Sequence, residues 1–173
     1  MDESTTEGDW RRWVEQFTPR FLLFARQKTR TEGDAQDLVQ EAVLEASHRQ
    51  TNPGPPPVAL VFSTIQRRAI DLARGNDRRL DRELAVMADA ETCWFDTSLE
   101  DREMKQMLEN SLKRLPELYR EVVTLKIWGD LTFAEVADVL GIPPNTAASR
   151  YRYGLAELRK LMKGVWHEKA AKY

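Results

Sequence analysis

The residues with the most pointed chemistry are arginines, hydroxyls and one asparagine set at helical spacing near the C-terminal end. In PPNTAASRYRYGLAELRKL, Asn145, Ser149, Arg152 and Ala156 recur on one helical face, with Ala148 and Tyr153 flanking it. Arg152 carries the planar fork that matches a guanine edge, a contact worth about 1–3 kcal/mol of discrimination. Ser149, Thr146 and the helix N-terminus suit phosphate oxygens, and Arg150 adds local positive charge. Ala147, Tyr151, Leu155 and Leu158 fall on the opposite face and are expected to pack inward. The bland alternative makes the polar face the solvated side of a core helix. A glycine turn, flanking helices and a basic second helix favour the nucleic-acid reading.

Those side chains need a scaffold, and the preceding residues supply one. Thr132 and Glu135 fit a capping box at the start of LTFAEVADVLG, in which hydroxyl and carboxylate satisfy free amides reciprocally. Gly141 permits the positive φ that ends this helix, and Pro143-Pro144-Asn145-Thr146 starts the next, expected to run to about Lys163. Helix, short glycine turn and second helix form a helix-turn-helix. Before it, Pro116 opens PELYREVVTLKIWG, with Leu118, Val122, Leu125 and Ile127 expected inward and Gly129 as a stop.

The N-terminal half is also helical in pattern. Trp10, Trp13, Val14, Phe17, Phe21, Leu22 and Phe24 suit one or two amphipathic helices interrupted at Pro19. Asp34 is expected to cap DAQDLVQEAVLEASHR, whose Leu38, Ala42, Val43 and Ala46 make an apolar stripe. TNPGPPP, at Thr51–Pro57, must be a loop, and a further helix is expected from Val58 to about Arg74. The expected fold is all-α: two small helical domains, 1–82 and 108–173, joined by an acidic linker, 83–107, with the helix-turn-helix in the second domain.

Composition narrows the function classes. The chain has 173 residues and a formal charge of −2, yet the charge is segregated. Residues 60–82 carry Arg67, Arg68, Arg74, Arg78, Arg79 and Arg82 against three aspartates, residues 83–111 are strongly acidic, and residues 143–163 turn basic again. Two cationic patches can each hold a phosphate backbone while the total stays small. No run of about 18 apolar residues exists for membrane insertion, and the acidic start is not a secretory signal. Cys93 is the only cysteine, which fits a reducing cytoplasm, and without a basic neighbour such a thiol is more often inert. No nucleophile elbow, phosphate loop or HExxH motif occurs, and His48 and His167 stand alone. Neither an enzyme, a metal site nor a cofactor is expected.

The same stretches resemble a known family. LPELYREVVTLKIWGDLTFAEVADVLGIPPNTAASRYRYGLAELRKL resembles region 4 of the sigma-70 family, the reader of the −35 promoter element. DAQDLVQEAVLEA resembles region 2.2, which docks on the clamp helices of the polymerase β′ subunit, and STIQRRAIDLAR resembles regions 2.3 and 2.4, which read and open the −10 element. No room is expected for the extra domains of a primary sigma factor, so the resemblance points to the compact extracytoplasmic-function group.

The resemblance implies a sigma factor that binds core RNA polymerase through the β′ clamp and β flap and directs initiation at promoter DNA. It implies polymerase contact by Asp37, Leu38, Gln40 and Glu41. It implies −10 contact by Phe62, Ser63, Gln66, Arg67, Arg68 and Arg74, and −35 contact by Asn145, Thr146, Ser149, Arg150, Arg152 and Tyr153. An anti-sigma factor is a further implied partner. Departures occur: the family's usual asparagine falls on Arg67 and its tryptophan on Leu60, Ser47–Pro57 lacks aromatics, and Ala147-Ala148 replaces a usual valine and lysine. Phe62 is the nearest aromatic wedge for strand opening. The acidic linker could mimic nucleic acid or act as a spacer. The alternative function is a free-standing dimeric helix-turn-helix regulator, which would need a symmetric operator and a dimer seam or ligand pocket.

Overall fold

The computed structural model describes residues 3–80, 93–95 and 102–170. Within them the chain forms seven helices: α1 (Glu3–Arg26), α2 (Glu32–Arg49), α3 (Val58–Leu80), α4 (Arg102–Arg114), α5 (Glu117–Ile127), α6 (Phe133–Leu140) and α7 (Pro144–Ala170). All the described secondary structure is helical, as the periodicity predicts. The helices group into two compact units, Met1–Thr92 and Cys93–Tyr173.

The N-terminal unit packs α1, α2 and α3 against one another. Its centre is aromatic: the Phe62 ring lies 4.9 Å from Phe21 and 5.6 Å from Phe24, both edge-on, the favoured arrangement for π quadrupoles. Val61, Ile65 and Ala69 from α3 and Ala35, Leu38, Val39, Ala42 and Ala46 from α2 complete it. Towards the N-terminus, Trp13 extends the aromatic row at 5.5 Å from Phe21.

Several local expectations are corrected. Pro19 lies inside α1 and does not interrupt it. Proline removes one backbone donor, but Pro19 is exposed while the aromatic face of α1 is held by the core. The cap of α2 is Thr31, whose hydroxyl accepts from the Asp34 amide at 3.1 Å; Asp34 itself sits in the first turn, where its charge favours the helix dipole. Helices α3 and α7 extend beyond Arg74 and Lys163, to Leu80 and Ala170.

A charged clasp joins α1 to α2. Arg26, only 7% exposed, gives Glu32 two hydrogen bonds of 2.8 Å each, from Nε and Nη2. The fork-to-carboxylate geometry suits a guanidinium leaving water. The hydrogen bond from Arg26 holds the Glu32 carboxyl below its ordinary value, with the Arg26 charge and a Gln36 hydrogen bond assisting against partial desolvation.

In the C-terminal unit α7 is the backbone element, packed by α4, α5 and α6. Met107, Leu112, Leu115, Val122, Val123, Leu125, Val136, Ala147 and Leu158 fill its core. Leu118 and Ile127, expected inward, are 42% and 44% exposed, because the buried stripe of α5 runs through Val122, Val123 and Leu125. Gly154 allows close approach of α7 to α5: a Cβ there would lie 2.9 Å from Val123 Cγ2 and 3.1 Å from Tyr119 Cβ.

The expected linker, 83–107, contains the start of α4, and its residues 93–95 belong to the C-terminal unit; residues 83–92 and 96–101 lie outside the described residues.

Two stability predictions follow from these contacts. Phe62→Ala should cost the N-terminal unit about 3–5 kcal/mol through lost burial and a cavity, read as a lower denaturation midpoint; an unchanged midpoint would contradict this core. Because the Glu32 pKa is depressed on folding, its contribution is complete above the ordinary carboxylate range and is lost as pH falls through the depressed value. Glu32→Gln, at a partly exposed site, should cost about 1 kcal/mol at neutral pH and flatten the acid side of the melting-temperature profile.

Candidate nucleic-acid and docking interfaces

In the C-terminal unit the capping box forms as the sequence predicts. Thr132 Oγ1 accepts from the Glu135 amide at 3.2 Å, and Glu135 Oε2 accepts from the Thr132 amide at 2.8 Å. Gly141 ends α6 in the left-handed region at φ 65°, aiming the chain into α7. Ala147 and Leu158 are buried, and Tyr151 packs on Phe133 with centroids 5.5 Å apart, so one face of α7 is committed to the core.

The opposite face opens on a groove of about 370 Å³. Asn145, Thr146, Ser149, Arg150 and Tyr153 line it from α7, and Leu118 and Tyr119 from α5. Five of the six residues proposed for this face from sequence are thus brought together. Tyr153 is 54% exposed. Arg152, the sixth, does not line the groove: its guanidinium carbon lies 5.1 Å from the Tyr153 ring centre, and Nη2 donates to the Tyr153 hydroxyl at 3.4 Å. Arg152 and Tyr153 therefore form an exposed cation–π pair. Sequence reasoning missed Leu118 and Tyr119, which line the groove only because Gly154 lets α5 come close.

In the N-terminal unit α2 and α3 divide their faces in the same way. Asp37, Gln40 and Glu41 are exposed on α2, with Leu44 beside them at 54% exposure. Leu38 is corrected: at 2% exposure it belongs to the core and holds the helix that presents the others. Leu44 was missed, although its position three and four residues beyond Glu41 and Gln40 puts it on their face.

On α3, Ser63, Arg67, Ile70 and Arg74 recur at i, i+4, i+7 and i+11 along the side away from the core. Phe62 is corrected as well: at 1% exposure it is a core ring and cannot act as a wedge in this conformation. Gln66 is half-buried, and its shielded Oε1 has no hydrogen-bond partner among the described residues.

The arginines of α3 are not independent. Arg67 pairs with Glu45 of α2, and Arg68 bridges Glu45 and Glu41, its Nε lying 2.8 Å from Glu45 Oε2. Arg49 closes on the same carboxylate at 3.0 Å. Partial desolvation raises the Glu45 carboxyl, but the Arg68 hydrogen bond and the charges of Arg67, Arg49 and Arg68 outweigh it and hold the group below its ordinary value. One network thus ties a residue of the α2 outer face, Glu41, to the arginine row of α3. The bonds from Arg67 and Arg68 were not visible in sequence, since these partners lie 22 to 27 positions apart.

No helix among the described residues is long and apolar enough to cross a membrane.

Comparison with known proteins covers both units. The family profile described as Sigma-70 region 2 matches residues 13–79, and that described as Sigma-70, region 4 matches residues 105–158. The chain is 31% identical over 157 residues to the ECF RNA polymerase sigma factor ShbA of Streptomyces griseus, covering 83% of this chain and 82% of the relative. It is 27% identical over 141 residues to the RNA polymerase sigma factor SigV of Bacillus subtilis, covering 80% and 82%. In fold it is similar to the sigma factor RpoE of Bartonella quintana, solved with the anti-sigma factor NepR, with a TM-score of 0.63, 20% identity and coverage of 90% of this chain and 97% of that one. A free-standing dimeric regulator is not favoured by these relatives. With a three-helix unit matching region 2, a helix-turn-helix unit matching region 4, and an ECF relative aligned across most of both, the chain belongs to the sigma-70 family as a promoter-recognising sigma factor of the extracytoplasmic-function group.

Proposed function

We propose that the two units divide promoter reading between them, with the open face of α7 entering the major groove of the −35 duplex and the α3 arginine row taking the −10 element. The observation that carries this is the clustering of Asn145, Thr146, Ser149, Arg150 and Tyr153 on one open side of α7, while Ala147 and Leu158 on the other side are buried. A helix of this kind fits the major groove with its first turns nearest the base edges. Asn145, Thr146 and Ser149 occupy those turns, while Arg150 and Arg152 supply cationic contacts. Tyr119, on α5, adds a hydroxyl at the rim of the same protein groove. In the −10 unit, Ser63, Gln66, Arg67, Arg68 and Arg74 are the contacts.

The exposed face of α2 is the polymerase-docking surface in this reading. Asp37, Gln40 and Glu41 meet a basic helical partner on the β′ clamp, and Leu44 supplies the apolar contact at first assigned to Leu38. The C-terminal unit rests on the β flap. The chain works in the cytoplasm without catalysing a reaction, as a specificity subunit. An anti-sigma factor, the partner in the Bartonella quintana complex, is proposed to occupy the same exposed faces.

Transcription by core polymerase over a randomised promoter library tests the whole reading: enrichment of two separated sequence elements is expected, and absence of promoter-dependent initiation would refute it. Arg152→Ala should reduce discrimination at one −35 position by about 1–3 kcal/mol, roughly 5- to 150-fold in relative use of cognate and mutated sites. Equal discrimination before and after the change would remove Arg152 from the reading set. Gln40→Ala and Leu44→Ala should each weaken capture of core polymerase by about 1 kcal/mol or more without altering the melting temperature. Full capture by both variants would place docking elsewhere.

A further inference from the structure

Residues 93–95 lie within the expected linker, yet they are fastened to the C-terminal unit. Trp94 is only 8% exposed. Two cations from different helices address its ring: Lys113 Nζ of α4 at 5.4 Å and the Arg120 guanidinium carbon of α5, also at 5.4 Å. The neighbouring Phe95 packs on Trp128 at 5.6 Å, and its amide donates to Glu109 Oε2 at 3.3 Å. Glu109 in turn pairs with Lys113 at 2.8 Å. Arg120 donates weakly to the carbonyls of Lys113 and Leu115 at the end of α4, both at 3.4 Å. Burial pushes its guanidinium below its ordinary value, against the opposing pull of Glu117. Cation, ring, amide and carboxylate thus converge on a segment eight positions ahead of α4.

This fastening has a metrical effect. From Leu80, the end of α3, to Cys93 there are thirteen Cα–Cα steps, and to Arg102, the start of α4, there are twenty-two. Whatever its conformation, a chain spans at most about 3.3–3.6 Å per residue. The longest possible tether is therefore about 45 Å with the segment fastened and about 75 Å without it. The difference, about 30 Å, corresponds to nearly one turn of B-DNA at about 3.4 Å per base pair.

We propose that Trp94, buried and in cation–π contact with both Lys113 and Arg120, is a pin that fixes the C-terminal end of the interdomain tether and so restricts the promoter spacing this sigma factor accepts. Trp94 is a positioning residue in this role and touches no DNA. The inference rests on the reading of two DNA elements by the two units.

The test uses the full chain with core polymerase on promoters whose spacer is varied one base pair at a time. A nine-residue Gly/Ser insertion is placed either after Ala88, ahead of the pin, or after Thr97, behind it. In the wild-type background the first insertion should broaden the spacer profile and the second should leave it unchanged. Effective concentration falls roughly as the −3/2 power of tether length, so the first insertion should lower initiation at the optimal spacer about twofold. Trp94→Ala alone should reproduce that loss and broadening, and should make the two insertion sites equivalent. Trp94→Phe, which keeps a ring for the cations, should restore part of the asymmetry. As a readout independent of transcription, a spin label on Cys93, the only cysteine, should be restrained in the wild type and released by Trp94→Ala. Equal effects of the two insertions in the wild type, or no effect of either, would overturn the pin while initiation itself upholds the promoter-reading assignment. Loss of all promoter-dependent initiation in the unmodified chain would instead defeat that assignment and the pin with it.

Discussion

A short helix has one circumference to divide, and a small protein must spend part of it on a core. In both units that division decides what is left for recognition. Helix α3 gives Val61, Phe62, Ile65 and Ala69 to the interior and keeps Ser63, Arg67, Ile70 and Arg74 outside. Helix α7 gives Ala147 and Leu158 inward and turns Asn145, Ser149 and Tyr153 out. The apolar burial does not merely stabilise; it fixes the rotation of each helix, and rotation determines which side chains a partner can reach. A close instance between helices is at Gly154, where any side chain would meet α5. The absence of a single methyl group lets two helices approach until they share a groove.

Helical class, element order and the division into two helical units were legible in the sequence because they rest on short-range signals. The capping box at Thr132–Glu135 and the left-handed Gly141 involve neighbours three to four positions apart, and both are present in the structure. Errors arose where a family motif mixes inner and outer residues. Leu38 and Phe62 sit inside recognisable functional stretches, yet their side chains face the core. Periodicity already held that information, since Leu38 falls on the same stripe as Ala42 and Ala46. Leu44 went unnoticed for the converse reason: it is an apolar residue on a polar face, and its exposure is a tertiary fact.

Other features depend on distant partners, and no local pattern announces them. Glu45 has one local partner in Arg49, but only when α2 and α3 pack do Arg67 and Arg68 converge on it as well. Trp94 stands in a stretch without sustained periodicity, and its cations arrive from two different helices. Pro19 misled in the opposite direction, since a local rule for breaking helices gave way to an aromatic row that holds α1 continuous. Tertiary burial outweighs local preference when the offending residue faces solvent.

The carboxylates beneath the α3 arginines change what that row is electrically. Arg67 and Arg68 are already paired with Glu45 and Glu41, so the surface is a partly neutralised patch and not a bare cationic one. Under the proposed −10 contact, it would exchange one anionic partner for another and release fewer condensed ions than its arginine count implies. Indiscriminate attraction to any polyanion is thereby muted. In the proposed reading, engagement would fall to strands whose geometry draws the guanidiniums off their resident acids, and a polymerase contact at Glu41 would compete with the Arg68 ion pair.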